Sequence, residues 1–181
     1  MKSKIVEHFD GQYSEYELRE RRLLFPEDMD IVSRYADAFL EDGVPPTGAR
    51  SPVICLDASA LEQFTNELSG FMYGHLVEVL GSLKQLCNTI PKLNTLLRCR
   101  SVLILTDISP ETGLNDIKEL NKVIKSATHY HQLQLNYGVR VSGELERTIF
   151  LRMIYADIPQ LRRTQQTSRP SQIQMRMKRK P

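Results

Sequence analysis

The sequence predicts an α/β fold: a small, mainly parallel sheet of about three strands, covered by helices. Three observations carry that expectation. Residues 53–56 (Val-Ile-Cys-Leu) and 103–106 (Leu-Ile-Leu-Thr) are short apolar runs without polar alternation, as a strand buried on both faces requires. Each run ends in Asp, a spacer and Ser (Asp57-Ala58-Ser59, Asp107-Ile108-Ser109) and leads into a stretch of helical periodicity. Leu133, Leu135, Tyr137, Val139 and Val141 then alternate with polar or small residues, the period of a strand with one wet face and so of an edge strand.

In chain order, residues 1–28 are weakly patterned, and the charged cluster at 15–22 predicts a short exposed helix in a helical N-terminal segment. Residues 29–42 carry Ile31, Val32, Tyr35, Phe39 and Leu40 on one helical stripe, with Asp28 or Asp30 to cap the start and Gly43 to stop it. Pro45, Pro46, Gly48 and Pro52 then make a loop. From Leu61 the apolar positions step by three and four through Phe64, Leu68, Leu76, Val79, Leu83 and Leu86 to Ile90, predicting one long amphipathic helix or two in tandem. Gly70, Gly74 and Gly81 argue for a break within it. After Asp107, Ser109-Pro110-Glu111 resembles a helix start, and the spacing of Ile117, Leu120, Val123 and Ile124 predicts a helix from about Asn115. A last helix is expected to be capped by Ser142, to carry Leu145, Ile149, Phe150, Met153 and Ile154, and to end before Pro159. Leu56, Leu68, Leu76, Ile104, Leu105 and Val123 are the expected core.

A chain of 181 residues suits one core, so residues 1–161 are read as a single α/β domain and 162–181 as a flexible tail. Its 25% charged and 41% hydrophobic residues are ordinary globular values. Three cysteines without a C-x-x-C spacing suggest reduced thiols and a cytoplasmic setting. Residues 1–8 lack the apolar core of a signal peptide, and residues 71–86 contain His75, Glu78 and Lys84, so no membrane span is expected.

Charge is distributed unevenly. Arg162, Arg163, Arg169, Arg176, Lys178, Arg179 and Lys180 lie in the last twenty residues with no acid among them. The remainder holds 17 Lys and Arg against all 22 Asp and Glu, a net of −5. So basic and apolar-poor a tail is expected to be disordered when free and to contact nucleic acid, RNA included, or another acidic partner. The apolar stripe at 61–90 suggests protein partners in a larger assembly. These features together predict a non-catalytic interaction or assembly protein without a cofactor.

The alternative is a divalent-metal-dependent phosphodiester hydrolase. Were the two runs parallel neighbours, Asp57 and Asp107 would emerge side by side and hold Mg2+ through hard oxygen ligands, with Glu67, Glu78 or Asp116 as a third. Leu56-Asp57-Ala58-Ser59-Ala60-Leu61 is similar to the opening of PIN-domain nucleases, and the two motifs together resemble the Asp-x-Ser and Thr-Asp loops of von Willebrand A-type metal-binding domains. The first resemblance implies further acids at the ends of later segments, and the stretch after the Val141 strand offers only Glu144 and Glu146; the second implies a Ser at the position of Leu61. The competing reading makes both Asp-x-Ser units helix caps. His129 and His131 flank Tyr130 at a helix end, His75 falls on the apolar stripe, and His8 lies in the weakly patterned start. No P-loop, G-x-G-x-x-G or nucleophile elbow is present, which leaves covalent catalysis without a motif.

Overall fold

The computed structural model describes residues 3–9, 12–41, 49–93, 96, 99–128 and 133–156. The first half contains β1 (Ser3–Phe9), β2 (Gln12–Leu24), α1 (Met29–Asp37), β3 (Ala49–Ile54), α2 (Ala58–Ser69) and β4 (Tyr73–Gly81). The second contains α3 (Leu83–Thr89) with a 3-10 turn at Ile90–Lys92, β5 (Ser101–Ile108), α4 (Leu114–Ser126), β6 (Gln134–Ser142) and β7 (Ile149–Ala156). The seven strands form one sheet in the order β1-β2-β4-β7-β5-β6-β3. Among the described residues β5 and β6 are the one parallel pair; the other five pairings are antiparallel. The expected mainly parallel sheet of about three strands is therefore wrong, although the α/β class stands.

The parallel pair is where a crossover helix exists. α4 leaves the end of β5 and returns the chain to β6, the connection that parallel neighbours require. It starts at Gly113, whose N–H donates to Asp116 Oδ2 at 3.0 Å, and it buries Ile117, Leu120 and Ile124. Elsewhere, segments expected as helices are the strands β4 and β7 and part of β2, and of the antiparallel pairings among the described residues only β1–β2 joins consecutive strands.

The stretch at 61–90 shows why. Its helical stepping is genuine as far as Ser69, where α2 ends at Gly70. From Tyr73 the same apolar residues serve a strand: Leu76 faces one side, Val77 and Val79 the other. A Cβ on Gly74 would lie 2.6 Å from the Phe25 ring and 2.8 Å from the Tyr155 carbonyl oxygen, so this close approach admits only glycine. Ser82 then caps α3, accepting from Gln85 N–H, while Ser82 N–H donates to Gln85 Oε1 at 2.7 Å, a reciprocal capping box.

The expected final helix is β7. It lies between β4 and β5, antiparallel to both, and its two faces are both covered. A strand apolar on both faces carries no period that separates it from a buried helix. The expected helix at 15–22 is part of β2 for a related reason: Tyr16 and Leu18 point to one face while Glu17, Arg19 and Arg21 alternate with them. β6 is a strand as expected but not an edge, because β3 pairs along its outer side.

Helices cover both faces. Against α3, the 3-10 turn and α4 pack Val77, Val79, Val102, Ile104, Val139, Leu151, Met153 and Tyr155. Against α1 and α2 pack Leu23, Leu76, Leu103, Leu105 and Ile154, together with Phe39, Leu56, Phe64 and Leu68. Of the expected core, Leu56, Leu68, Leu76, Ile104 and Leu105 are buried, and Val123 is half-buried at the rim. No helix among the described residues is long and apolar enough to cross a membrane.

Candidate functional site

Asp57 follows β3 by three residues and Asp107 lies inside β5, so their strands decide whether the two carboxylates meet. They are kept apart. β6 stands between β3 and β5, and β3 runs antiparallel to both, so the chain passes Asp57 and Asp107 in opposite directions along the sheet. The premise of parallel neighbouring runs is corrected by that topology.

Asp57 is the N-cap of α2. Its Oδ1 accepts from Ser59 N–H at 2.7 Å, Ala60 N–H at 3.1 Å and the Ser59 hydroxyl at 2.6 Å. These donors favour the charged form: the Ser59 hydroxyl first, then the Ala60 and Ser59 amides, hold the carboxyl below its usual range. The Asp-x-Ser spacing is thus a local turn in which the serine also serves the cap.

Asp107 has another environment altogether. It is 5% exposed, on the face of the sheet beneath α1. Arg140, its register partner on β6, donates from Nε to Asp107 Oδ1 at 2.6 Å, and its Nη2 lies 2.6 Å from the same oxygen. Arg152 on β7 donates from Nη1 to Oδ2 at 3.0 Å and from Nε to Glu78 Oε1 at 3.2 Å. Arg19 on β2 faces Glu78 in register. It also bonds Glu17 at 2.8 Å, and that carboxylate holds its guanidinium above the usual value.

Arg19, Glu78, Arg152, Asp107 and Arg140 therefore cross five adjacent strands with alternating sign. Aromatic rings close over this row: Phe39 lies 4.7 Å from the Arg140 guanidinium carbon, Phe150 lies 4.0 Å from that of Arg152, and Tyr35 lies 5.1 Å from it. Gly138 makes room for Phe39, since a Cβ there would come within 2.8 Å of the Phe39 Cβ. Arg140 Nη1 is buried with no hydrogen-bond partner.

With both oxygens engaged, Asp107 is a staple joining β5 to β6 and β7. Of the suggested third ligands, Glu78 belongs to the same row, Asp116 receives the Gly113 N–H at the start of α4, and Glu67 is exposed on the outer side of α2. Among the described residues no three His, Cys, Asp or Glu side chains gather as metal ligands would. Sequence reasoning missed the row because Arg140 and Arg152 gain meaning only once β6 and β7 flank β5. The one available signal was Arg140, a cation on the alternating strand that also carries Leu135, Val139 and Val141.

His75 is half-buried on β4 and stacks on Tyr155 with ring centroids 5.4 Å apart. His129, His131 and the seven cations of 162–181 lie outside the described residues, as does the side chain of His8. Cys55 is exposed, Cys87 half-buried and Cys99 buried, and none is in a disulfide. Burial pushes the Cys99 thiol up to about 12.

Concavities among the described residues include two lined in part by helices. One, of about 360 Å³, lies between α2 and the starts of β5 and β6, with Phe64, Leu68 and Phe71 among its walls. The other, about 630 Å³, runs between α3 and α4.

No family model matches the chain, and no curated protein matches its sequence. Solved structures similar to it include an empty FtsZ dimer from M. jannaschii, 13% identical with a TM-score of 0.46 over 59% of this chain and 32% of that one. A second is a single-residue variant of FtsZ from the same organism, 14% identical with a TM-score of 0.49 over 73% of this chain and 39% of that one. The chain thus spans about a third to two fifths of the length of the FtsZ chains it is similar to.

Proposed function

We propose that this chain is a non-catalytic interaction protein. Its α/β body packs against protein partners in a larger assembly, and its basic tail contacts nucleic acid. The observation that carries this reading is the commitment of the two strand-end acids. Asp107 has both oxygens held by guanidiniums, and Asp57, on the far side of β6, spends its Oδ1 capping α2, so the two do not converge on one hydrolytic metal.

Charge layout supports the tail's part. Seven cations without an acid follow a body of net charge −5, so an anion approaching the chain is drawn to the terminus. Such contacts are many, weak and indifferent to base sequence. Three cysteines without a disulfide fit a reducing, cytoplasmic setting.

The test keeps the full chain and replaces the seven cations (Arg162, Arg163, Arg169, Arg176, Lys178, Arg179, Lys180) with Gln. Binding to a mixed-sequence single-stranded RNA, followed by anisotropy, is expected to fall at least about tenfold with an unchanged melting temperature, and wild-type binding to weaken steeply with salt. Equal binding by the Gln variant refutes the tail's role.

A further inference from the structure

α4 carries Lys118, Lys122 and Lys125 at positions i, i+4 and i+7, which places them on one stripe of the helix. All three are exposed, and among the described residues none is paired with an acid. The groove beside this stripe has an apolar floor of Val123 and Ala127 from α4, with Pro91 and the half-buried Cys87 on the opposite wall. Its volume is about 630 Å³, and Lys118 and Lys122 form its rim. Lys125 continues the rim into a second concavity on the far side of the stripe, lined also by Asn121 and Ser126. Glu119 is the one acid in the groove's lining. The stripe thus reverses the sign of a body that is otherwise net negative.

We infer that the groove between α3 and α4 is a docking site for an acidic amphipathic helix of a partner protein. This rests on the protein-partner half of the proposed function and names the surface and the chemistry it takes. The apolar floor offers area for a row of Leu-like side chains, and the lysine rim faces the acids flanking such a row, the arrangement of a helix laid in a groove. α4 has 13 residues, roughly 20 Å of axis, enough to accept about three turns. A nucleic-acid backbone would use the lysines but leave the apolar floor unused. Charge complementarity at the rim supplies specificity and encounter rate, and the floor supplies the burial.

Cys87 makes the site readable. In a full-length Cys55→Ser chain, Cys87 is the accessible thiol, since Cys99 is buried. The probe is a synthetic 18-residue helix with Leu on one face and Glu on the other. Its controls are a scramble of the same composition and a single-stranded RNA. The amphipathic peptide is expected to bind and to slow alkylation of Cys87 about tenfold, and the scramble to do neither. Reversing the rim (Lys118→Glu, Lys122→Glu, Lys125→Glu) is expected to weaken binding at least about tenfold, and the corresponding Gln variant to weaken it less, both with unchanged circular dichroism. Absence of binding, equal binding by the scramble, an unaffected reversed variant, or protection of Cys87 by RNA each overturns the inference. Failure here leaves the tail's contact with RNA standing, because the seven-Gln chain tests that separately.

Discussion

Replacing Asp107 with Ala removes the one anion between two guanidiniums that the fold has taken out of water. The Asp107 and Arg140 side chains are each 7% exposed and that of Arg152 is 15% exposed, so solvent does little to screen what remains. Arg152 keeps Glu78 at 3.2 Å, but Arg140 loses its acid, and its Nη1 already lacks a partner. Breaking a buried pair from one side costs about 3–5 kcal/mol, because the surviving charge stays buried and uncompensated. For a chain of this length that corresponds to a fall in melting temperature of about 6–20 °C. The exposed Asp30–Arg34 pair supplies the contrast: with side chains 67% and 74% exposed, its removal costs less than about 1 kcal/mol. Urea unfolding followed by circular dichroism reads both, and an unchanged slope confirms that the unfolded state is the same. Replacing both partners, Asp107→Leu with Arg140→Met, is expected to restore most of the loss, since paired apolar side chains leave no orphaned charge. A cost for Asp107→Ala below about 1 kcal/mol would refute the staple.

Four further outcomes follow from the same geometry. Gly138→Ala is expected to destabilise by about 1–3 kcal/mol in thermal unfolding, because its Cβ would press on Phe39 over Arg140. Leu105→Ala, fully buried between α1 and α2, is expected to cost about 2–5 kcal/mol by the same measurement. Asp57→Asn is expected to keep the melting temperature near wild type and Asp57→Ala to lower it; since the folded carboxyl titrates below its unfolded value, this contribution is present above about pH 4 and is lost as pH falls through the depressed value. Cys99, at about 12, is expected to resist alkylation at pH 8 while Cys55 reacts; its share of stability is full below the unfolded thiol value of about 8.5 and declines as pH rises from there towards 12.

How much was legible in the sequence follows from which signals are local. The turn at Asp57 was readable because a cap is satisfied by the next three residues. β5 was readable because four unbroken apolar residues, Val102 to Leu105, between polar ends suit a strand buried on both sides. α1 and α4 were readable because one face of each meets solvent and leaves a period of 3.6. The strands β4 and β7 were not. Both lie inside the sheet with both faces covered, so Leu76, Val79 and Leu83, or Ile149, Met153 and Ile154, fit a helical stripe as well as a strand. The mainly parallel expectation rested on those two misreadings, since β4 replaces part of an expected crossover helix and β7 replaces the expected last helix. The charged row was out of reach in sequence because Glu78, Asp107, Arg140 and Arg152 are 29 residues or more apart, save the last two, and become neighbours through pairing alone. The seven tail cations were visible as composition and lie outside the described residues.

The claim on which the account turns is that Asp57 and Asp107 serve the fold and not a metal. Titration of Mg2+ and then Mn2+ into the full-length chain, read by calorimetry, tests it most directly. Heats of dilution without saturation are expected for wild type, Asp57→Asn and Asp107→Asn alike. Saturable binding to the wild type that disappears in both variants would contradict the account and return the two aspartates to a shared metal site.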